Sequence, residues 1–294
     1  MSVKIAKNSG FCFGVKRAIK LALAASQKYN NAVTLGPIIH NPQMVNKLQK
    51  NGIEYVNNLE EIKNRPTIIR SHGVTREVLN ELQKMDIDII DATCPYVSKT
   101  QVYAKELHER GYQVIIMGDK NHPEVIALRS YVDGGTIIAA TPDELPAKKF
   151  LKAAIISQTT RNITDFQNMV SALVPRCGEL LVVNTICNAT SIRQKSTLKL
   201  AKESDLMIVV GGKNSSNTKM LAKICDKFIE TYHIETEAEI DTNWFENKQK
   251  IGITAGASTP DWIILGVYNK ILKCLGKEEQ QVESVELIPG FKEE

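Results

Sequence analysis

Three cysteines occupy the same kind of position in this 294-residue chain, each between a strand-like stretch and a helix-like one. They lie in the segments Gly10-Phe-Cys12-Phe-Gly-Val, Ala92-Thr-Cys94-Pro-Tyr and Thr185-Ile-Cys187-Asn-Ala-Thr. The start of a helix carries the positive end of the helix dipole, which favours the thiolate form that binds metals. One such cysteine alone would be read as a small buried hydrophobe. Its recurrence in three segments instead favours a shared metal site.

A constant spacing supports the equivalence of these segments. Each cysteine is followed by an apolar strand that ends in glycine, and the distances from Cys12 to Gly36, from Cys94 to Gly118 and from Cys187 to Gly211 are all 24 residues. Successive cysteines are 82 and 93 residues apart, which is far longer than a solenoid period. We therefore predict three units, at residues 1–93, 94–186 and 187–275, followed by a tail at 276–294.

Short β-branched runs alternate with helical patterns along all three units, as parallel sheets require. The sequence predicts an α/β fold made of three small α/β domains with parallel sheets, related by a pseudo-threefold axis. Ligands of open parallel sheets bind beyond the carboxyl ends of the strands, so the three sets of strand ends should face one central cavity. The runs predicted to be buried strands are Ile89–Ile90, Val114–Ile116, Ile137–Ile138, Leu181–Val183 and Ile208–Val210.

Hydrogen-bonding side chains gather at these predicted strand ends. One stands four residues after each glycine, and others follow the second strand of each unit. Imidazole, hydroxyl and amide groups together with backbone N–H groups suit a phosphate or diphosphate, whereas no glycine-rich nucleotide-binding motif is present. The candidate binding residues are His40, His72, His122, Thr159, Ser215, Ser216, Asn217 and Ser258.

Glu124, two residues after His122, is the acidic side chain of these strand-end motifs. A carboxylic acid beside a metal site is a candidate proton donor. The alternative is a surface glutamate that opens a helix, where a negative charge is favourable in any case.

The three thiolates leave the identity of the metal open. They could bind zinc with a fourth ligand or water, or a four-iron cluster in which one iron has no protein ligand. Spacing does not choose between these possibilities. The remaining cysteines, Cys177, Cys225 and Cys274, lack the repeated context and are interpreted as hydrophobic.

Several motifs in the same order resemble the 4-hydroxy-3-methylbut-2-enyl diphosphate reductase (LytB/IspH) family over nearly the whole chain. Besides the three cysteine segments, they include Arg70-Ser-His72-Gly, Asn121-His122-Pro-Glu124, Ser157-Gln-Thr-Thr160, Asn214-Ser-Ser-Asn-Thr218 and Thr254-Ala-Gly-Ala-Ser258. The resemblance implies one 4Fe–4S cluster with Cys12, Cys94 and Cys187 as its three ligands. It also implies that Glu124 delivers protons, that Thr159 orients the substrate and relays protons, and that the histidines, Ser215, Ser216, Asn217 and Ser258 bind the diphosphate.

The reaction implied by the resemblance is the reductive dehydroxylation of an allylic diphosphate, the last step of the non-mevalonate isoprenoid pathway. The substrate oxygen would occupy the open iron, and two electrons and two protons would yield isopentenyl and dimethylallyl diphosphates. The electrons would come from an external ferredoxin-like or flavodoxin-like donor. Other uses of the same residues are a cluster-dependent dehydratase, a zinc hydrolase and a cluster-based sensor.

Composition and charge fit this class of enzyme. The net charge of +4 is spread along the chain and aromatic residues make up 6%, so we expect no nucleic-acid partner. No apolar run approaches the roughly 18 residues of a membrane span, and the first ten residues are too polar for a secretory signal. We therefore expect a cytoplasmic protein without a membrane partner.

Overall fold

The structure, a computed structural model, describes residues 1–132 and 134–277. The strands are β1 (Ser2–Ile5), β2 (Val33–Leu35), β3 (Glu54–Val56), β4 (Thr67–Ile69), β5 (Ile89–Asp91), β6 (Gln113–Met117), β7 (Ile137–Ala139), β8 (Phe150–Ser157), β9 (Cys177–Val182), β10 (Leu206–Val210), β11 (Thr231–Ile234) and β12 (Lys250–Ala255). The α-helices are α1 (Phe13–Lys28), α2 (Pro42–Lys50), α3 (Arg76–Lys84), α4 (Pro95–Glu109), α5 (Pro123–Ser130), α6 (Ile163–Leu173), α7 (Asn188–Glu203), α8 (Ser216–Asp226) and α9 (Asp261–Cys274).

The described strands form three four-stranded sheets, and every strand pair in them is parallel. The strand orders are β3-β2-β4-β5, β7-β6-β8-β9 and β11-β10-β12-β1. The three α/β units with parallel sheets predicted from the sequence are therefore confirmed. The repeat also holds in detail, because Gly36, Gly118 and Gly211 each follow the first strand of a unit directly.

The first strand departs from the predicted boundaries. The sequence predicts one unit over residues 1–93, yet β1 pairs with β12 in the sheet of the third unit. In each sheet, one outer strand leads to a cysteine: β5 to Cys94, β9 to Cys187 and β1 to Cys12. The inner strands that pair with these outer strands are β4, β8 and β12, respectively. The repeat therefore begins one strand before each cysteine, and the N-terminus of the chain completes the last sheet.

The three sheets are distributed over two compact units of the chain, here named unit A and unit B. Unit A comprises Met1–Lys16, His40–Met44 and the described residues from Ala189 to Lys277, and it contains the sheet β11-β10-β12-β1. Unit B comprises Arg17–Ile39 and Val45–Asn188, and it contains the other two sheets.

The sheet of unit A is covered on both faces, because alternate residues of a strand point in opposite directions. Leu206, Ile208 and Val210 pack in a cluster with α9. Met207 and Val209 pack in a second cluster, with α7 and α8. Helix α9 therefore lies on one face of this sheet and α7 and α8 on the other.

In unit B the central strands β6 and β8 are buried in the same manner. Val114 and Ile116 pack in a cluster with α4 and α5, whereas Ile115 and Met117 pack with α6. The outer strands are less buried than the sequence predicted, since β5 and β9 leave several side chains partly or fully exposed. An outer strand has a neighbour on one side only, which the β-branched pattern does not reveal.

The thiols outside the repeat are hydrophobic, as predicted. Cys225 is fully buried, and burial raises the pKa of its thiol to about 12. Cys177 and Cys274 pack at the margins of the apolar clusters. The predicted tail falls outside the described residues from position 278 onward. In the part of the chain that is described, no helix is both long enough and apolar enough to cross a membrane.

Candidate functional site

The three cysteines have equivalent backbone environments. Each directly precedes a helix, namely α1, α4 or α7, so each thiol stands at the positive end of a helix dipole. The backbone N–H of each cysteine donates a hydrogen bond to a residue that lies two positions beyond an inner strand, namely β12, β4 or β8. The acceptors are the carbonyl oxygens of Ala257 for Cys12 at 3.1 Å, Ser71 for Cys94 at 3.0 Å, and Thr159 for Cys187 at 3.0 Å.

Two arginines hold the segments that lead into these cysteines. In unit B, Arg17 of α1 donates from Nη1 to the carbonyl oxygen of Thr93 at 3.0 Å, one residue before Cys94. In unit A, Arg193 of α7 is 3% exposed and donates from Nη2 to the carbonyl oxygen of Gly10 at 2.7 Å. Charge-assisted bonds of this kind are stronger than neutral ones, so both arginines restrict the loops that carry the thiols.

A buried carboxyl group lies beside the Cys187 segment in unit B. Glu124 is 2% exposed, so the alternative of a surface glutamate is wrong. Its Oε1 accepts a hydrogen bond from the Thr159 backbone N–H at 2.7 Å, and its Oε2 accepts one from the Thr159 hydroxyl at 2.9 Å. Burial disfavours the charged carboxylate and raises its pKa from an ordinary 4.5 to about 7, although the bonds from Thr159 oppose this shift.

Two histidines lie near this carboxyl group in unit B. His122 caps α5, and its Nδ1 accepts a hydrogen bond from the Glu124 N–H at 3.2 Å. An accepting Nδ1 places the proton of the neutral ring on Nε2, which becomes the donor. The rings of His72 and His122 meet edge to face, with centroids 5.7 Å apart. Unit B thus brings together four of the predicted polar residues: His72, His122, Glu124 and Thr159.

The remaining predicted polar residues lie in unit A. The Ser258 hydroxyl donates to the His40 carbonyl oxygen at 3.0 Å. Gly212 is needed beside them, because a Cβ there would come within 2.9 Å of the same oxygen. The three candidates of the third unit open α8, since Ser215 is its N-cap and Ser216 and Asn217 are its first residues.

Asn217 has an unusual environment for an amide. The side chain is 4% exposed, yet neither Oδ1 nor Nδ2 has a hydrogen-bond partner among the described residues. A buried unpaired amide costs free energy, and a ligand that supplies the missing bonds recovers it. Its location in the first turn of α8, where the helix dipole favours anions, suits a phosphate oxygen.

The metal ligands remain a prediction. Within residues 1–132 and 134–277, no group of three or more His, Cys, Asp or Glu side chains is arranged to hold a metal ion. The donor set nevertheless fits an iron–sulfur cluster chemically, because three thiols occupy equivalent positions at helix starts and thiolates are its usual ligands.

Sequence reasoning assigned no role to Gln158, Arg17 or Arg193. Gln158 is fully buried, accepts a bond from the Asp119 N–H at 3.1 Å and donates to the Thr160 hydroxyl at 2.9 Å, so its side chain joins the Thr159 segment to the backbone after β6. The signal for the arginines was present in the cysteine segments, five residues after Cys12 and six after Cys187. A basic side chain in an amphipathic helix usually faces solvent, which hid this role.

The chain is similar to proteins of one known family over most of its length. The model of the LytB protein family matches residues 3–272. The 4-hydroxy-3-methylbut-2-enyl diphosphate reductase of Geobacter sulfurreducens is 44% identical over 275 residues, covering 92% of this chain and 97% of that protein. The reductase of the same name from Campylobacter curvus is 47% identical over 277 residues, covering 93% of this chain and 100% of the relative.

Two solved structures share the fold. A structure of (E)-4-hydroxy-3-methyl-but-2-enyl diphosphate reductase, described as the terminal enzyme of the non-mevalonate pathway, is 44% identical with a TM-score of 0.67, covering 93% of this chain and 100% of its own. A structure of E-1-hydroxy-2-methyl-but-2-enyl-4-diphosphate reductase from Plasmodium falciparum is 28% identical with a TM-score of 0.85, covering 99% of this chain and 94% of its own. The fold and these relatives define an enzyme built from three parallel α/β units. The chain belongs to the LytB protein family.

Proposed function

We propose that this chain reduces 4-hydroxy-3-methylbut-2-enyl diphosphate to isopentenyl and dimethylallyl diphosphates, the last step of the non-mevalonate isoprenoid pathway. The reaction consumes two electrons and two protons, breaks the allylic C–O bond and releases the oxygen as water. Its relatives carry the name of this reductase over almost the full length of the chain.

One structural observation carries the proposal: a protonatable carboxyl group is linked through Thr159 to a cysteine. Thr159 donates to both oxygens of Glu124, and its carbonyl oxygen accepts the bond from the Cys187 N–H. A reductive dehydroxylation needs an acid at this place, because hydroxide is a poor leaving group unless it is protonated.

The pKa of Glu124 suits that task. With a pKa of about 7, a large fraction of the carboxyl groups keeps its proton near neutral pH. When Oε2 carries the proton, it donates to the Thr159 hydroxyl oxygen, and the hydroxyl hydrogen turns outward towards the substrate. Glu124 would supply protons along this path, and Thr159 would relay them and orient the substrate.

The diphosphate would be held by the strand-end donors. In unit A these are His40, Ser215, Ser216, Asn217 and Ser258, with the unpaired amide of Asn217 as the structural support. In unit B they are His72 and His122, of which His122 would donate from Nε2. Binding at the diphosphate would position the reacting end of the substrate without any contact to the bond that breaks.

Cys12, Cys94 and Cys187 would bind one 4Fe–4S cluster. When bound, the cluster supplies electrons and an open Lewis-acid position at the iron that lacks a protein ligand. The electrons would come from an external ferredoxin-like or flavodoxin-like protein.

The test is turnover of anaerobically reconstituted protein, with dithionite and methyl viologen as reductant and mass spectrometry to detect both products. The wild type should require the reductant, and Glu124→Gln should lose at least ~100-fold in turnover. Glu106→Gln, which changes an exposed glutamate of α4 in the same unit, is the matched control and should retain turnover. Product formed without reductant, or full activity of Glu124→Gln, would refute the proposal.

A further inference from the structure

A second surface of unit A leads to Cys12. A cavity of about 680 Å³ is lined by Cys12 together with Lys7, Lys16 and Arg193, one carboxyl group, that of Asp261, and the apolar side chains of Phe13 and Ile192. None of the strand-end residues proposed to bind the diphosphate lines this cavity. This cavity therefore reaches Cys12 without contact to the proposed substrate groups of unit A.

The surface around this cavity combines exposed apolar side chains with positive charge. Phe13 is 63% exposed and Ile192 is 43% exposed. On α7, Lys195 and Lys199 are exposed three and seven residues after Ile192, so they share its helix face. The Ser196 hydroxyl donates to the Lys7 carbonyl oxygen at 2.5 Å, which anchors the Lys7 loop to the same helix.

Lys195 and Lys199 form no ion pair with any described residue. Their charges are therefore not neutralised within the described part of the chain. Exposed aromatic and aliphatic side chains bordered by like charges are typical of a surface that meets a protein of opposite charge. A small anion would not need Phe13 or Ile192, and a nucleic acid would favour a longer basic track.

We infer that this surface, formed by Lys7, Phe13, Lys16, Ile192, Lys195 and Lys199, docks an acidic electron-donor protein beside Cys12. The inference rests on the proposed function and names where the donor of that reaction binds. Each encounter would deliver one electron from the donor's cofactor through Cys12 to the cluster that Cys12 would help to hold, so the donor would be oxidised and the cluster reduced by one electron. Two encounters would supply the two electrons of a turnover, while the protons come through Glu124.

The test measures binding of a purified flavodoxin with a strongly negative net charge to the reconstituted protein by biolayer interferometry. Lys195→Glu combined with Lys199→Glu should weaken binding at least ~10-fold, because it places like charges in the interface. The wild-type affinity should fall as salt rises from ~0.01 M to ~0.15 M. The matched control is Lys270→Glu combined with Lys273→Glu. Both lysines are exposed on α9, which packs on the other face of the sheet, so this control should change the affinity less than ~3-fold.

Phe13→Ser provides a second, charge-neutral variant, and it should weaken binding as well. Turnover with dithionite and methyl viologen should be unchanged in the α7 variant, while turnover with reduced flavodoxin falls at least ~10-fold. Wild-type protein that binds flavodoxin but fails with dithionite would refute the proposed function and not the surface. An α7 variant with wild-type affinity, or a surface that prefers duplex DNA or anionic vesicles to flavodoxin, would overturn the inference.

Discussion

Replacing Glu124 by glutamine should change how stability depends on pH. Below about pH 4.5 the carboxyl group is protonated in both the folded and the unfolded chain, so its burial carries no charge penalty. Between 4.5 and about 7 the unfolded chain releases the proton while the buried group keeps it, so stability falls as pH rises. At about 1.4 kcal/mol per pH unit, the native protein loses about 3 kcal/mol across this range. The amide of Glu124→Gln stays neutral, so this loss should be absent from the variant.

The assay is guanidinium unfolding of metal-free wild type and Glu124→Gln at about pH 4.5 and about pH 7.5. The stability of the variant relative to wild type should rise by about 3 kcal/mol between the two pH values. All other titrating groups are common to both proteins and cancel in this difference. Glu106→Gln, which replaces an exposed glutamate of α4, is the matched control for the substitution itself. A flat difference for Glu124→Gln would show that the buried carboxyl group is not protonated at neutral pH, and the proton-donor argument would fail.

Three other substitutions test the geometry directly. Asn217→Ala should leave the ligand-free protein as stable as the wild type or up to ~1 kcal/mol more stable, because the lost amide has no partner among the described residues. In the same variant, calorimetry should show pyrophosphate binding at least ~10-fold weaker. In urea titrations, Arg193→Met should lower the free energy of unfolding by ~2 kcal/mol through loss of the bond to Gly10. As a control, Lys195→Met on the exposed face of the same helix should keep the free energy of unfolding within ~0.5 kcal/mol of the wild-type value. Gly256→Ala should be destabilising by ~1–3 kcal/mol in the same titrations, since its Cβ would lie 2.0 Å from the Thr218 hydroxyl oxygen; a neutral result would show that Thr218 rotates away freely.

The sequence predicted the parallel sheets because their pattern is local. Apolar runs such as Val114–Ile116 alternate with helices, and the 24-residue spacing aligns the three units without any knowledge of their packing. The membership of β1 was missed for the opposite reason. Its pairing with β12 joins Ser2 to Lys250, and a four-residue strand carries no signal that names a partner so distant in the chain.

The same distinction between local sequence patterns and long-range contacts applies to the candidate site. Residue types and positions made Glu124 a candidate, but only its burial among the atoms of unit B raises the pKa of its carboxyl group to about 7. Desolvation is a property of packing, and packing depends on contacts between distant segments. The roles of Gln158 and Arg193 have the same origin, since both act through backbone groups that no residue pattern reports.

The closure of the third sheet by the N-terminus has a consequence for Cys12. Cys94 and Cys187 follow outer strands that come after the other strands of their sheets in the chain, so the sheets that position them are complete as soon as β5 and β9 are made. Cys12 follows β1, whose partner among the described strands, β12, begins at Lys250, and the N–H of Cys12 donates to the carbonyl oxygen of Ala257. Contacts at such long separation require the largest loop closure. The cysteine that comes first in the sequence therefore depends on the most distant contacts, because its strand pairing and its N–H bond both need residues from Lys250 onward, and the bond from Arg193 of α7 to Gly10 adds a third long-range contact.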